Sequence, residues 1–132
     1  MEDNSRAALT LKPIGVIHSP YKTKDEMPIQ GRFKPEVTGE IKVFEEYKEG
    51  LKDIEGFSHL IILYWFHRAG KLSLLVRPYL DDDPHGIFAT RYLARPNPIG
   101  LSLVRLLGRE GSVLRIAEVD VLDGTRLLDI KP

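Results

Sequence analysis

A mainly β chain that closes on itself is the fold class this sequence predicts, and three observations predict it. Its 132 residues make one domain with room for a single core. Several short runs rich in β-branched and aromatic residues are separated by Gly, Pro, Asn and Asp turn signals. Only one stretch has helical character. Short strands in that number, with one helix, point to an all-β barrel or to a closed sheet with a small helical insertion.

Each element has its own reason. Residues 1–13 are read as a flexible N-terminal segment and 14–132 as the folded domain. Ile14 to His18 is a β-branched run closed by Ser19-Pro20-Tyr21, so it reads as a strand ending in a turn. From Lys22 to Val37 the chain is polar, and Pro28, Gly31 and Pro35 interrupt both helix and strand. Loops that long in compact domains are uncommon and are either binding elements or mobile. Glu40 to Phe44 alternates as a strand with one wet face, and Glu45 to Ile54 reads as the short helix, stopped by Gly56. Leu60 to Phe66 is the most apolar run and reads as a strand buried on both faces. Leu72 to Val76, Ile87 to Thr90 and Ile99 to Leu107 are further strands. Val113 to Leu122 and Thr125 to Ile130 flank Asp123-Gly124, which reads as a hairpin turn.

Composition excludes several function classes. There is no cysteine, so disulfides, thiolate metal sites and cysteine nucleophiles are out. The N-terminal residues lack a signal-peptide core and no run reaches the ~18 apolar residues of a membrane span, so a soluble cytoplasmic protein is expected. Nineteen basic and nineteen acidic side chains cancel, which argues against coating nucleic acid by charge alone. The cancellation is uneven: residues 85–109 carry Arg91, Arg95, Arg105 and Arg109 with no acid. Such a window either forms a local anion site or scatters its arginines onto carboxylates elsewhere.

Motifs narrow the chemistry. His59 and His67 lie eight residues apart, roughly 26 Å along a strand, too far to share a metal ion. His67 is better placed to line a pocket, because the chain leaves the core there; the plainer reading is a histidine hydrogen-bonded at a strand terminus. Asp81 to Asp83 lacks a calcium-loop pattern, so no metal is expected. No serine sits in Gly-x-Ser-x-Gly, and neither a dinucleotide fingerprint nor a P-loop is present. The segment that stands out is Arg95-Pro-Asn-Pro-Ile-Gly100, where two prolines stiffen the backbone around Asn97. An amide held that way can donate and accept at a purine edge, with arginines near for a carboxylate or phosphate; otherwise the segment is a connecting turn.

Taken in order, Ile14-Gly-Val-Ile-His-Ser-Pro-Tyr21, Pro28-Ile-Gln-Gly31, Gly56-Phe-Ser-His-Leu60 running into Phe66-His67, Val76-Arg-Pro78, Gly86-Ile-Phe-Ala-Thr-Arg91, Arg95-Pro-Asn-Pro-Ile-Gly-Leu-Ser102 and Asp120-Val-Leu-Asp-Gly-Thr125 through Pro132 resemble the TsaA-like family. The resemblance covers nearly the whole chain from Ile14. It implies a single-sheeted β-barrel, usually a homodimer, that uses S-adenosylmethionine outside the Rossmann class. The implied activity is methylation of N6 of threonylcarbamoyladenosine beside the anticodon of tRNA. It further implies cofactor contacts at Gln30, Gly31, Arg32, His67, Arg68, Arg91, Leu101 and Asp120. His67 and Asp120 are the candidate proton acceptors, and Arg91, Arg95 and Asn97 the candidate substrate contacts. The chain departs from the family at Tyr92-Leu93-Ala94, where a small pair is common, and it ends at Pro132, where relatives usually continue with a tyrosine. The competing readings are a non-catalytic nucleotide- or RNA-binding barrel, and a methyltransferase with a small-molecule acceptor.

Overall fold

Six strands hydrogen-bond in a ring in the computed structural model, which describes residues 4–23, 36–67, 70–77 and 83–132. In chain order the strands are β1 (Gly15–His18), β2 (Thr38–Val43), β3 (His59–Trp65), β4 (Leu75–Val76), β5 (His85–Gly86), β6 (Ile99–Glu110), β7 (Val113–Ala117) and β8 (Thr125–Lys131). The barrel closes as β1-β2-β7-β6-β3-β8, every neighbouring pair antiparallel, while β4 and β5 form a separate two-stranded ribbon. Closure leaves no free edge on the main sheet, and a barrel this small is filled by side chains. Ile17, Ile41, Leu60, Ile62, Val104, Leu114, Ile116 and Leu127 do the filling, each essentially inaccessible. They come from alternate positions, as the period of two requires.

β6 organises the ring. Its first half, from Ile99 to Arg105, pairs with β3, and its second half, from Arg105 to Glu110, pairs with β7. An extra residue between Leu106 and Gly108 bends the strand where it changes partner, as bulges do in closed barrels. The β6–β7 connection is Gly111-Ser112, with Gly111 at φ 62, the glycine-first pattern of a tight hairpin turn.

Several expectations are corrected. The single helix over Glu45 to Ile54 is two 3-10 turns, Glu45–Leu51 and Ile54–Gly56, because Asp53 adopts a left-handed φ of 70 between them. β3 is not buried on both faces: Leu60, Ile62 and Tyr64 point inward, while Ile61, Leu63 and Trp65 on the outside are half-buried. One face of a barrel strand has only solvent or loops beside it. The strand from Leu72 shrinks to Leu75–Val76, and Ile87–Ala89 is a 3-10 turn rather than a strand. Asp123-Gly124 is a tight turn, with Thr125 N–H donating to Leu122 O, but it joins no hairpin. β7 pairs with β2 and β6, β8 with β1 and β3, so the turn ends a crossing between distant strands. Most of the long loop, with Gln30, Gly31 and Arg32, lies outside the described residues, as does Arg68.

Candidate functional site

The antiparallel ring gives the barrel two ends, and the chemistry-bearing residues gather at one of them. That end is formed where β1 runs out into Ser19-Pro20-Tyr21, where β3 finishes at Tyr64 and Trp65, and where β6 begins. The segment from Glu118 to Asp123 crosses it. Glu118 ends β7 in the left-handed region, φ 63, uncommon for a residue with a side chain, and so turns the chain across the mouth.

Inside that mouth runs a chain of hydrogen bonds. Ser102 Oγ donates to Asp120 Oδ1 at 2.6 Å, and Tyr64 Oη lies 2.7 Å from Ser102 Oγ. A serine hydroxyl has one proton, so Tyr64 is the donor to Ser102. Burial, followed by the charge of Asp120, pushes the Tyr64 phenol well above its usual range, which keeps that proton on the tyrosine. The Arg91 guanidinium acts in the opposite sense on the same phenol, so Arg91 and Asp120 face one group from opposite signs. Tyr64 is seated across from Gly100 in the β3–β6 register, and a Cβ there would overlap its ring and that of Phe66. Phe66 holds the other side edge-on, ring centres 5.5 Å apart at 87°.

A second set of bonds ties β1 to the crossing segment. Ser19 N–H donates to Asp123 Oδ1 at 3.1 Å, Ser19 Oγ donates to Val121 O, and Asp123 N–H donates to Tyr21 O at 2.8 Å. Lys22 Nζ and His18 Nδ1 meet the Asp123 carboxylate at 2.7 and 3.1 Å. The Lys22 hydrogen bond, ahead of the Ser19 and His18 contacts, brings Asp123 down to a pKa of about 2.

Of the expected site residues, the fold brings Asp120 and Arg91 to one end of the barrel. His67 lies two residues beyond the end of β3 and is exposed beside the same end. Arg95 turns back on its own loop, where its Nη1 donates to Thr90 O and Tyr92 O, both at 2.9 Å, and closes the segment that carries Arg91. Asn97 lines a groove of about 300 Å3 on the outer wall with Leu9, Leu11, Trp65 and Arg126, away from the Tyr64–Ser102–Asp120 chain. Leu101 points outward, opposite to Ser102. The acid-free window therefore scatters, since Arg109 is at the far end on Leu51 O and Glu55. Tyr21, Tyr64 and Ser102 are residues at this end of the barrel that sequence reasoning misses as candidates. The available signal is Ser102 itself, a hydroxyl at an inward position between Gly100 and Val104, where buried polar groups must find partners. Among the described residues no group of three or more His, Asp or Glu forms a metal site, and no helix is long and apolar enough to cross a membrane.

Residues 16–132 match the family described as tRNA-methyltransferase O N-terminal domain. The chain is 58% identical over 121 residues to a "Probable S-adenosyl-L-methionine-binding protein" of Pyrococcus abyssi, covering 92% of this chain and 66% of that protein. It is 38% identical over 136 residues to the "tRNA (adenine(37)-N6)-methyltransferase" of Escherichia coli, covering 96% of this chain and 58% of the relative. A crystal structure of TrmO from Pseudomonas aeruginosa superposes with a TM-score of 0.81 at 38% identity, over 95% of this chain and 55% of that one. The chain thus spans between half and two thirds of these three proteins.

Proposed function

Because this chain belongs to the tRNA-methyltransferase O N-terminal domain family, we propose that it is an S-adenosylmethionine-dependent methyltransferase acting on N6 of threonylcarbamoyladenosine beside the anticodon of tRNA. The observation that carries the reading is the barrel mouth, where the Asp120 carboxylate and the Arg91 guanidinium act on one buried phenol. Opposite charges at one small site suit a zwitterionic amino-acid ligand: a carboxylate for ammonium or ribose hydroxyls, a guanidinium for carboxylate. The residues present thus fit S-adenosylmethionine, which when bound supplies an electrophilic methyl group. His67, Leu101 and the Gln30-Gly31-Arg32-containing loop, with Arg68, are the further proposed contacts.

The substituted N6 nitrogen is a poor nucleophile, since the purine and the adjoining carbonyl both withdraw its lone pair. Holding it at near-attack distance is therefore the main catalytic demand, worth several kcal/mol (about 7–11 in the best-oriented intramolecular reactions). The nitrogen gives up one proton on methylation, and His67 and Asp120 are the proposed acceptors. Arg91 is the proposed anchor for an anionic group of substrate or cofactor. Arg95 supports it by shaping the Thr90–Tyr92 loop, and Asn97 is proposed to meet the RNA from the outer groove. The reading carries the cytoplasm with it, where tRNA is modified, and a homodimer joined through the outer face of β3 and β6.

The test is incubation with methyl-labelled cofactor and tRNA that carries or lacks the threonylcarbamoyl group. Label is expected only in the modified tRNA; label in neither would sink the substrate. Calorimetry with S-adenosylmethionine checks the cofactor, and absence of heat at millimolar ligand would leave a plain RNA-binding barrel. Arg91→Ala should lower cofactor affinity or methylation about 10- to 100-fold, the value of a charge-assisted hydrogen bond.

A further inference from the structure

Two phenols flank the crossing segment, and their hydroxyls differ in one respect. Tyr64 Oη is bonded to Ser102, whereas Tyr21 Oη is fully buried and, among the described residues, has no hydrogen-bond partner. The rest of Tyr21 is firmly placed. Its N–H donates to Ser19 Oγ at 3.2 Å, its carbonyl accepts from Asp123 N–H at 2.8 Å, and the residue is only 5% exposed within the core cluster. Moving the side chain out to water would give up its place in the core cluster. Folded proteins rarely leave a buried hydroxyl in this condition, and an exception in a native fold asks for a ligand or an ordered water.

The surroundings say which atoms would answer it. Burial, followed by the charges of Glu36 and Asp120, raises the pKa of this phenol, so it stays protonated and is a donor. Tyr21 needs an acceptor, and the two negative charges near it disfavour an anionic one. Phosphate meets that repulsion and a simple ammonium offers no acceptor atom. An adenosine moiety is neutral and supplies acceptors in its ring nitrogens and ribose oxygens. We propose that Tyr21 is a ligand-contact residue whose hydroxyl donates to an acceptor atom on an adenosine moiety bound next to Asp120. Two sources carry that chemistry, the cofactor and the target nucleoside. The choice of adenosine rests on the function proposed above; the need for an acceptor rests on the orphaned hydroxyl alone.

Tyr21→Phe removes only the oxygen, so its effects separate a ligand contact from a structural one. Without ligand, the melting temperature should stay level or rise, because no bond is lost. Binding of S-adenosylhomocysteine, measured by calorimetry, should weaken about 3- to 10-fold if the cofactor supplies the acceptor, the worth of one neutral hydrogen bond. If the target nucleoside supplies it, cofactor affinity should hold while the KM for tRNA rises by a similar factor. A melting temperature lowered by several degrees would show that the hydroxyl had a structural partner and would overturn the proposal. So would unchanged cofactor affinity together with an unchanged KM. Wild-type protein that binds S-adenosylhomocysteine but labels no tRNA would refute the proposed reaction, and the calorimetric comparison would then decide Tyr21 alone. Wild-type protein that neither binds nor labels would refute both.

Discussion

Asp123 shows how one side chain holds the site together. Its carboxylate accepts from Ser19 N–H, Lys22 Nζ and His18 Nδ1, joining the end of β1 to the segment that carries Asp120. These contacts, the Lys22 hydrogen bond first among them, lower its pKa from 3.8 to about 2, and they favour the charged form only in the folded protein. A depressed folded pKa contributes stability above the unfolded value, and that contribution is lost as pH falls from about 4 towards about 2. With the side chain about a quarter exposed and Lys22 mostly in water, solvent screening leaves on the order of 1–2 kcal/mol. Asp123→Asn should therefore be less stable than wild type by that amount at pH 7 in urea denaturation, and the two should converge below pH 3. Curves that stay parallel from pH 7 to pH 2.5 would contradict it.

At the level of elements, the turns decide more than the strands do. Asp53 separates two 3-10 turns at φ 70, a conformation costing an L-residue about 1–2 kcal/mol. It is exposed, so nothing in packing requires its side chain. Asp53→Gly should raise the urea midpoint by the equivalent of about 0.5–1 kcal/mol, the relief of strain being partly offset by the extra freedom of glycine when unfolded. A lowered midpoint would mean the carboxylate has a stabilising role. The same residue explains why the sequence predicts one helix: Tyr47, Leu51 and Ile54 have helical spacing, but the break depends on a backbone angle that residue type does not declare. β1, β2, β3, β6 and β8 are legible because period-two alternation survives wherever one face is buried. The path from β7 to β8 is not legible. Asp123-Gly124 states that a turn occurs, while ring closure, a property of all six strands, states which strands flank it. Likewise Arg91 and Asp120 are legible through family motifs, but Tyr64, Ser102 and Tyr21 join the candidate site only when β1, β3 and β6 meet at one end.

Across the whole molecule, neutrality and an apolar outer wall belong to one argument. A net charge of zero gives copies of the chain no net mutual repulsion, and it confines the proposed tRNA recognition to a small site rather than a broad basic surface. On the outer face of the β3–β6 pair, Ile61 lies across from Leu103 and Leu63 across from Leu101, and Leu103 is 58% exposed. Ile99 extends the row along β6, and the row ends at the exposed Arg105. A contiguous apolar strip of this kind on a barrel with no free edge favours association face to face, and a two-fold axis would let the strip meet its own copy. That arrangement would also set Leu101, an expected cofactor contact pointing away from its own barrel interior, beside the partner chain. Leu103→Glu adds a charge at the more exposed residue of the strip's Ile61–Leu103 pair without touching the core of either barrel. Sedimentation should then give the mass of one chain where wild type gives two, with an unchanged β-type circular dichroism spectrum. Wild-type protein that sediments as a single chain at micromolar concentration would refute the dimer, and an unfolded Leu103→Glu variant would show that the strip supports the barrel itself rather than a partner.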